Sequence, residues 1–146
     1  MGVIKMNRTE MRELAFKLVY ETEIQKEVSH GQLELFIFNN NIEDKKIIDY
    51  LNKTISGIEE HKEAIIKNIS DNLKKEWDIT RISKINLSLL KIALYEMLYG
   101  NIPYKVAINE VVELAKKYAD EQSPVFINGV LASVVKKNNL NDGGSN

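Results

Sequence analysis

Residues 82–99, ISKINLSLLKIALYEMLY, decide how this chain is read. Ile82, Ile85, Leu89, Ile92, Ala93, Leu94 and Met97 cover most faces of one helix, and a helix that is apolar nearly all round belongs at the centre of a fold. Upstream, Trp77, Asp78 and Ile79 lead into Thr80 as the expected cap. Downstream, Gly100 and Asn101 supply a stop, and Pro103 stands where the next helix begins.

Outward from that centre the apolar spacing stays helical. Val106, Ala107, Val111, Leu114, Ala115 and Tyr118 mark one inward stripe, and Phe126, Ile127, Val130, Leu131, Val134 and Val135 another. Between them Ser123 reads as an N-cap hydroxyl placed directly before Pro124 at the first helical position. On the other side, Ile47, Ile48, Leu51, Ile55 and Ile58 run on as Ile65, Ile66, Ile69 and Leu73, one long helix or two, with Gly57 as the expected break. A short apolar stretch from Leu33 to Phe38 ends in Asn39, Asn40 and Asn41, which favour a loop. Met11, Leu14, Ala15, Leu18, Val19 and Thr22 form the face of a first helix, opened by a capping box of Asn7 and Glu10. The expectation is an all-α protein of six or seven helices, one domain over residues 1–138, with residues 139–146 as a disordered C-terminal tail.

Composition narrows the function classes. The 146 residues contain no Cys and only His30 and His61, which removes disulfides, thiolate chemistry and multi-His or Cys-based metal sites; no metal and no cofactor are expected. No apolar run approaches the ~18–20 residues of a membrane span. The opening MGVIKMNRTEMRE carries no apolar signal core, so a cytoplasmic protein without a membrane role is expected. With 20 Lys and Arg against 21 Asp and Glu, bulk charge does not announce a polyanion binder, although residues 1–20 and 77–138 are each net positive.

A phosphate loop, a metal motif or a nucleophile with its base is not found, and the chain is read as a non-enzyme. Glu59, Glu60 and His61 are taken as a solvated helix face, and His30 as a turn residue. Polar residues set among apolar ones draw more interest. Asn109 and Asn128 either satisfy local backbone or bracket a base edge. Phe126, in the first turn of its helix, either packs in the core or stacks on an unpaired base beside the helix amides.

The run LLKIALYEMLYGNIPYKVAINEVVELAKKYADEQSPVFINGVL (89–131) resembles the C-terminal signature of the NusB transcription antitermination factors, and RELAFKLVYETEI (12–24) is similar to that family's first helix. The resemblance implies a fold of two small helical bundles packed into one domain. It also implies binding of single-stranded boxA-like RNA in nascent transcripts, notably of ribosomal RNA operons, and a heterodimer with the small-subunit ribosomal protein NusE within the transcription elongation complex. By that resemblance Lys5, Arg8 and Arg12 fall on phosphate-contacting positions and Gln122, Ser123, Phe126 and Asn128 on an RNA-contacting loop. Asn86 and Lys91 are expected to border the partner's docking patch. Thr9 and Glu10 interrupt the basic segment, and Val125 stands where a Lys is common. Two alternatives accompany this reading. One is a non-catalytic helical adaptor with little RNA affinity of its own. The other, an RNA cytosine methyltransferase carrying a fused domain of this kind, needs a cofactor-binding domain for which this length leaves no room.

Overall fold

The structure, a computed structural model, describes residues 6–25 and 30–140. The capping box forms as its spacing requires: the Glu10 N–H donates to Asn7 Oδ1 at 2.8 Å and the Asn7 N–H to Glu10 Oε1 at 3.0 Å, opening α1 (Arg8–Gln25). The stretch around Leu33 becomes α2 (His30–Asn39), which turns Phe36 inward and is followed by a turn with Asn41, a non-glycine residue, at φ 52°. Asp44 accepts from the Lys46 N–H to start α3 (Lys45–Glu60), and α4 (Lys62–Asp71) follows after the single residue His61. A 3-10 turn (Ile79–Arg81) leads to α5 (Lys84–Leu98), then α6 (Tyr104–Tyr118) and α7 (Ser123–Lys137).

Helix α5 lies at the centre, with Leu89, Leu90, Ile92, Ala93 and Leu94 fully buried. α1 and α3 pack on one side of it, closed over by α2, while α4, α6 and α7 pack on the other. Two small bundles thus share one helix, and among the described residues every element is helical. No helix of the described residues is long and apolar enough to cross a membrane.

Four local expectations are corrected. Gly57 does not break a helix; α3 runs through it and the chain bends at His61, φ −105° and ψ 19°. Gly57 is instead where the Tyr95 ring of α5 lies on the α3 backbone, so close that an added Cβ would stand 2.1 Å from Tyr95 Cε1. Thr80 caps nothing: Asp78 accepts its N–H to form the 3-10 turn, and Ser83 Oγ accepts the Asn86 N–H at 3.1 Å to open α5. Ser123 is the first helical residue and not the cap, a shift of one position. Of the expected tail, Asn139 and Leu140 still fold back on α7, the Leu140 N–H reaching the Val135 carbonyl at 3.1 Å; residues 141–146 lie outside the described residues.

The Gly57 contact sets opposing terms against each other. Alanine in a helix interior is favoured over glycine by about 1 kcal/mol, but forcing the Tyr95 ring out of a packed seat costs about 1–3 kcal/mol. Gly57→Ala is expected to be destabilising, read as a lower denaturation midpoint with an unchanged slope. A variant more stable than the parent would contradict this packing.

Candidate nucleic-acid interface

The basic segment is placed differently from expectation. Arg8 opens α1 with an exposed side chain, and Lys5 lies outside the described residues. Arg12, one turn on, is only 5% exposed. Its Nε donates to both Glu96 carboxylate oxygens of α5, at 2.8 and 3.1 Å, and its Nη1 to Glu110 of α6 at 3.0 Å. Its charge is committed to the interior, so Arg12 as a free phosphate contact is corrected to a structural ion pair. Burial alone would lower the Arg12 pKa, but the bond to Glu96 and the charges of Glu96 and Glu110 outweigh it and the net shift is upward. Burial raises the Glu96 pKa above the usual carboxylate value, with Arg12 only partly offsetting it.

Lys91 is likewise drawn inward: it is 8% exposed and its ammonium is held by Glu23 of α1. Asn86, half-buried near the start of α5, keeps a side-chain oxygen that is buried without a hydrogen bond.

The expected loop residues do converge, with others the sequence reading passed over. Trp77, Arg81, Ile82, Ser83, Asn86, Asp120, Gln122, Ser123 and Phe126 line a cleft of about 190 Å³. One side comes from the turn before α5 and the other from the α6–α7 connection. Asp120 organises the second side: one carboxylate oxygen accepts from the N–H groups of Gln122 and Ser123 at 3.1 and 3.0 Å and from the Ser123 hydroxyl at 2.9 Å. Ser123 is thereby buried, with its hydroxyl held by Asp120 at the cleft wall. Phe126 is half-buried against the core, and its ring meets Trp77 with centroids 5.9 Å apart, inclined at 41°. Trp77 is 47% exposed. Arg81 is exposed at the end of the 3-10 turn and makes no ion pair within the described residues.

Asn128 falls outside this cleft. It is exposed on the outer groove between α6 and α7, together with Asn109, Ile108 and Ala132. The missed members, Trp77, Arg81 and Asp120, had a readable signal: a large aromatic and an arginine in a polar stretch before a buried helix, and an Asp three residues before Ser-Pro.

These features make a helical module whose cleft presents two aromatic rings and a guanidinium that makes no ion pair among the described residues. The family model described as "NusB family" matches residues 9–136. "Transcription antitermination protein NusB" of Clostridium novyi (strain NT) is 47% identical over 134 residues, covering 90% of this chain and 99% of that protein. The protein of the same name from Thermoanaerobacter sp. (strain X514) is 41% identical, covering 97% and 99%. Among solved structures, T. maritima NusB matches with a TM-score of 0.79 at 31% identity, over 92% of this chain and 94% of that one. A chain from a crystal structure of the antitermination factors NusB and NusE in complex with double-stranded RNA matches with a TM-score of 0.80 at 26% identity, over 89% and 96%. The chain belongs to the NusB family of transcription antitermination factors, which are not enzymes.

The buried ion pair makes a directional prediction. Arg12→Ala leaves Glu96 buried without its cation, a loss of about 3–5 kcal/mol in folding stability near neutral pH. Glu96 then has a folded-state pKa raised further above its ordinary 4.5, so the deficit is greatest at neutral pH and narrows as the pH falls toward that value and the carboxyl takes up a proton. Denaturation midpoints from pH 7 down to pH 5 test this; a deficit that stays constant or widens on acidification would contradict it.

Proposed function

We propose that this chain binds single-stranded boxA-type RNA in nascent transcripts through the Trp77–Phe126 cleft, and that it does so with the ribosomal protein NusE as heterodimer partner in the elongation complex. The observation that carries this reading is the cleft itself: two inclined aromatic rings, one of them half exposed, beside the unpaired Arg81. An unstacked base gains about 1–3 kcal/mol on such a face, and a guanidinium at the rim takes the adjoining phosphate. A cleft of about 190 Å³ suits one splayed base better than a duplex. The structural relative solved with NusE and RNA supports the choice of partners.

The contacts are assigned accordingly. Phe126 and Trp77 stack, Arg81 and Arg8 meet phosphates, Lys5 extends the same basic segment, and Gln122 supplies a polar edge. Asn128 serves RNA only where the strand continues over the α6–α7 groove. For NusE, the half-buried Asn86, which also borders the cleft, is assigned to the rim of a docking patch. Lys91 acts there indirectly, by holding α1 against α5 through Glu23. Antitermination on ribosomal RNA operons from a cytoplasmic location follows from this reading.

Trp77 separates RNA reading from a purely protein-binding role, since its ring stands outside the core. Trp77→Ala is expected to leave the melting temperature nearly unchanged and to weaken binding of a boxA-like single strand by roughly five- to a hundredfold. Arg81→Ala is expected to reduce the slope of log affinity against log salt by about one unit, uniformly across RNA sequences. Unchanged RNA affinity in the first and an unchanged slope in the second, with NusE binding retained, would leave the adaptor reading in its place.

A further inference from the structure

A second concavity lies near the other end of α5. Asn86 borders the Trp77 cleft, whereas Glu96 borders a cavity of about 350 Å³ between α1, α3 and α5, and ten residues of helix separate them by about 15 Å. The volume falls within the range of small-ligand sites. Its walls are Met11, Tyr50, Tyr95 and Ile102, with Thr54, Arg12 and Glu96 on the polar side and Arg8 and Lys53 exposed.

Three features of this cavity are unexplained by folding. The first is charge: Arg12 is already balanced by Glu96 and Glu110, whereas Arg8 and Lys53, on different helices, line the same cavity with neither in an ion pair within the described residues. Converging cations repel, and a doubly charged anion between them relieves that cost. The second is Tyr50. Its hydroxyl is buried and makes no hydrogen bond of good geometry, although the Thr54 hydroxyl lies near it. Burial pushes its pKa up to about 12, so it remains a neutral hydroxyl able to donate and accept. The third is shape: two phenol rings, a thioether and an isoleucine form an apolar interior that a bare anion held by Arg8 and Lys53 would leave empty.

From this juxtaposition we infer that the cavity binds a nucleoside monophosphate, its phosphate held by Arg8 and Lys53 and its base set among Tyr50, Tyr95, Met11 and Ile102, with the Tyr50 hydroxyl on a polar edge. Such a moiety has two sources, a free nucleotide or one nucleotide of an RNA chain. The cavity is separate from the Trp77 cleft and shares only Arg8 with the RNA contacts proposed above, so the inference does not need the stacking assigned to that cleft.

Calorimetric titration of the whole protein with AMP, and separately with inorganic phosphate and adenosine, tests the inference. AMP is expected to bind at least about tenfold tighter than either fragment. Lys53→Ala is expected to weaken AMP by roughly tenfold and Tyr50→Phe by roughly fivefold. Lys53 is exposed and Tyr50→Phe removes one oxygen, so thermal melting should show both variants folded. Trp77→Ala should leave AMP binding unchanged, which separates this test from that of the RNA cleft. Competition identifies the source: an RNA strand that displaces AMP from Trp77→Ala protein delivers one of its own nucleotides, whereas RNA that does not compete leaves the free nucleotide. AMP that fails to bind at millimolar concentration, binds no tighter than phosphate, is insensitive to both cavity variants, or is lost in Trp77→Ala would overturn the inference.

Discussion

One guanidinium between two carboxylates determines how the bundles meet. Arg12 of α1 reaches Glu96 of α5 and Glu110 of α6, so a single side chain ties the N-terminal helix to the shared central helix and to the second bundle. Each of these groups would be costly to bury alone, and together they suit only one placement of α1. At the other end of α1, Glu23 does the same for Lys91. Two polar pins on otherwise apolar helices fix rotation and sliding, which side chains such as Leu18 and Val19 fix less sharply.

That arrangement has a functional consequence. The N-terminal segment carries less free charge than its composition suggests, because Arg12 is committed to the interior. Polyanion binding of the kind proposed would then depend on cations without an ion pair among the described residues, Arg81 and Arg8 among them, and on aromatic surface beside them. The Trp77 cleft is assembled from the turn that starts α5 and the connection that starts α7, with Asp120 holding the latter through three hydrogen bonds. A rigid central helix thereby carries the turn at its own start into position against α7.

Apolar periodicity made the helices legible, and the buried α5 stripe with Gly100, Asn101 and Pro103 placed the fold's centre correctly. The capping box of Asn7 and Glu10 formed as its spacing required. Local reading failed where a distant partner decided the outcome. Gly57 looked like a helix break because nothing in its neighbourhood announces the Tyr95 ring. Arg12 and Lys91 looked like surface charge because their partners lie 84 and 68 residues away in sequence. Phe126 was open between core and cleft, and the structure gives it a share of both. Trp77 and Arg81 carry no apolar periodicity to mark them, because they belong to the short segment before α5 and not to the stripe of a long helix.

The central claim is that RNA meets the protein at the Trp77–Phe126 cleft. It is tested most directly by photocrosslinking a boxA-like single strand that carries 4-thiouridine at successive positions, with and without NusE, and mapping the crosslinked peptides by mass spectrometry. The account predicts that at least one position crosslinks to Trp77 or Phe126 and that crosslinking there declines as salt is raised. Crosslinks confined to α2 or to the outer α6–α7 groove, with the cleft unmodified at every position, would contradict it.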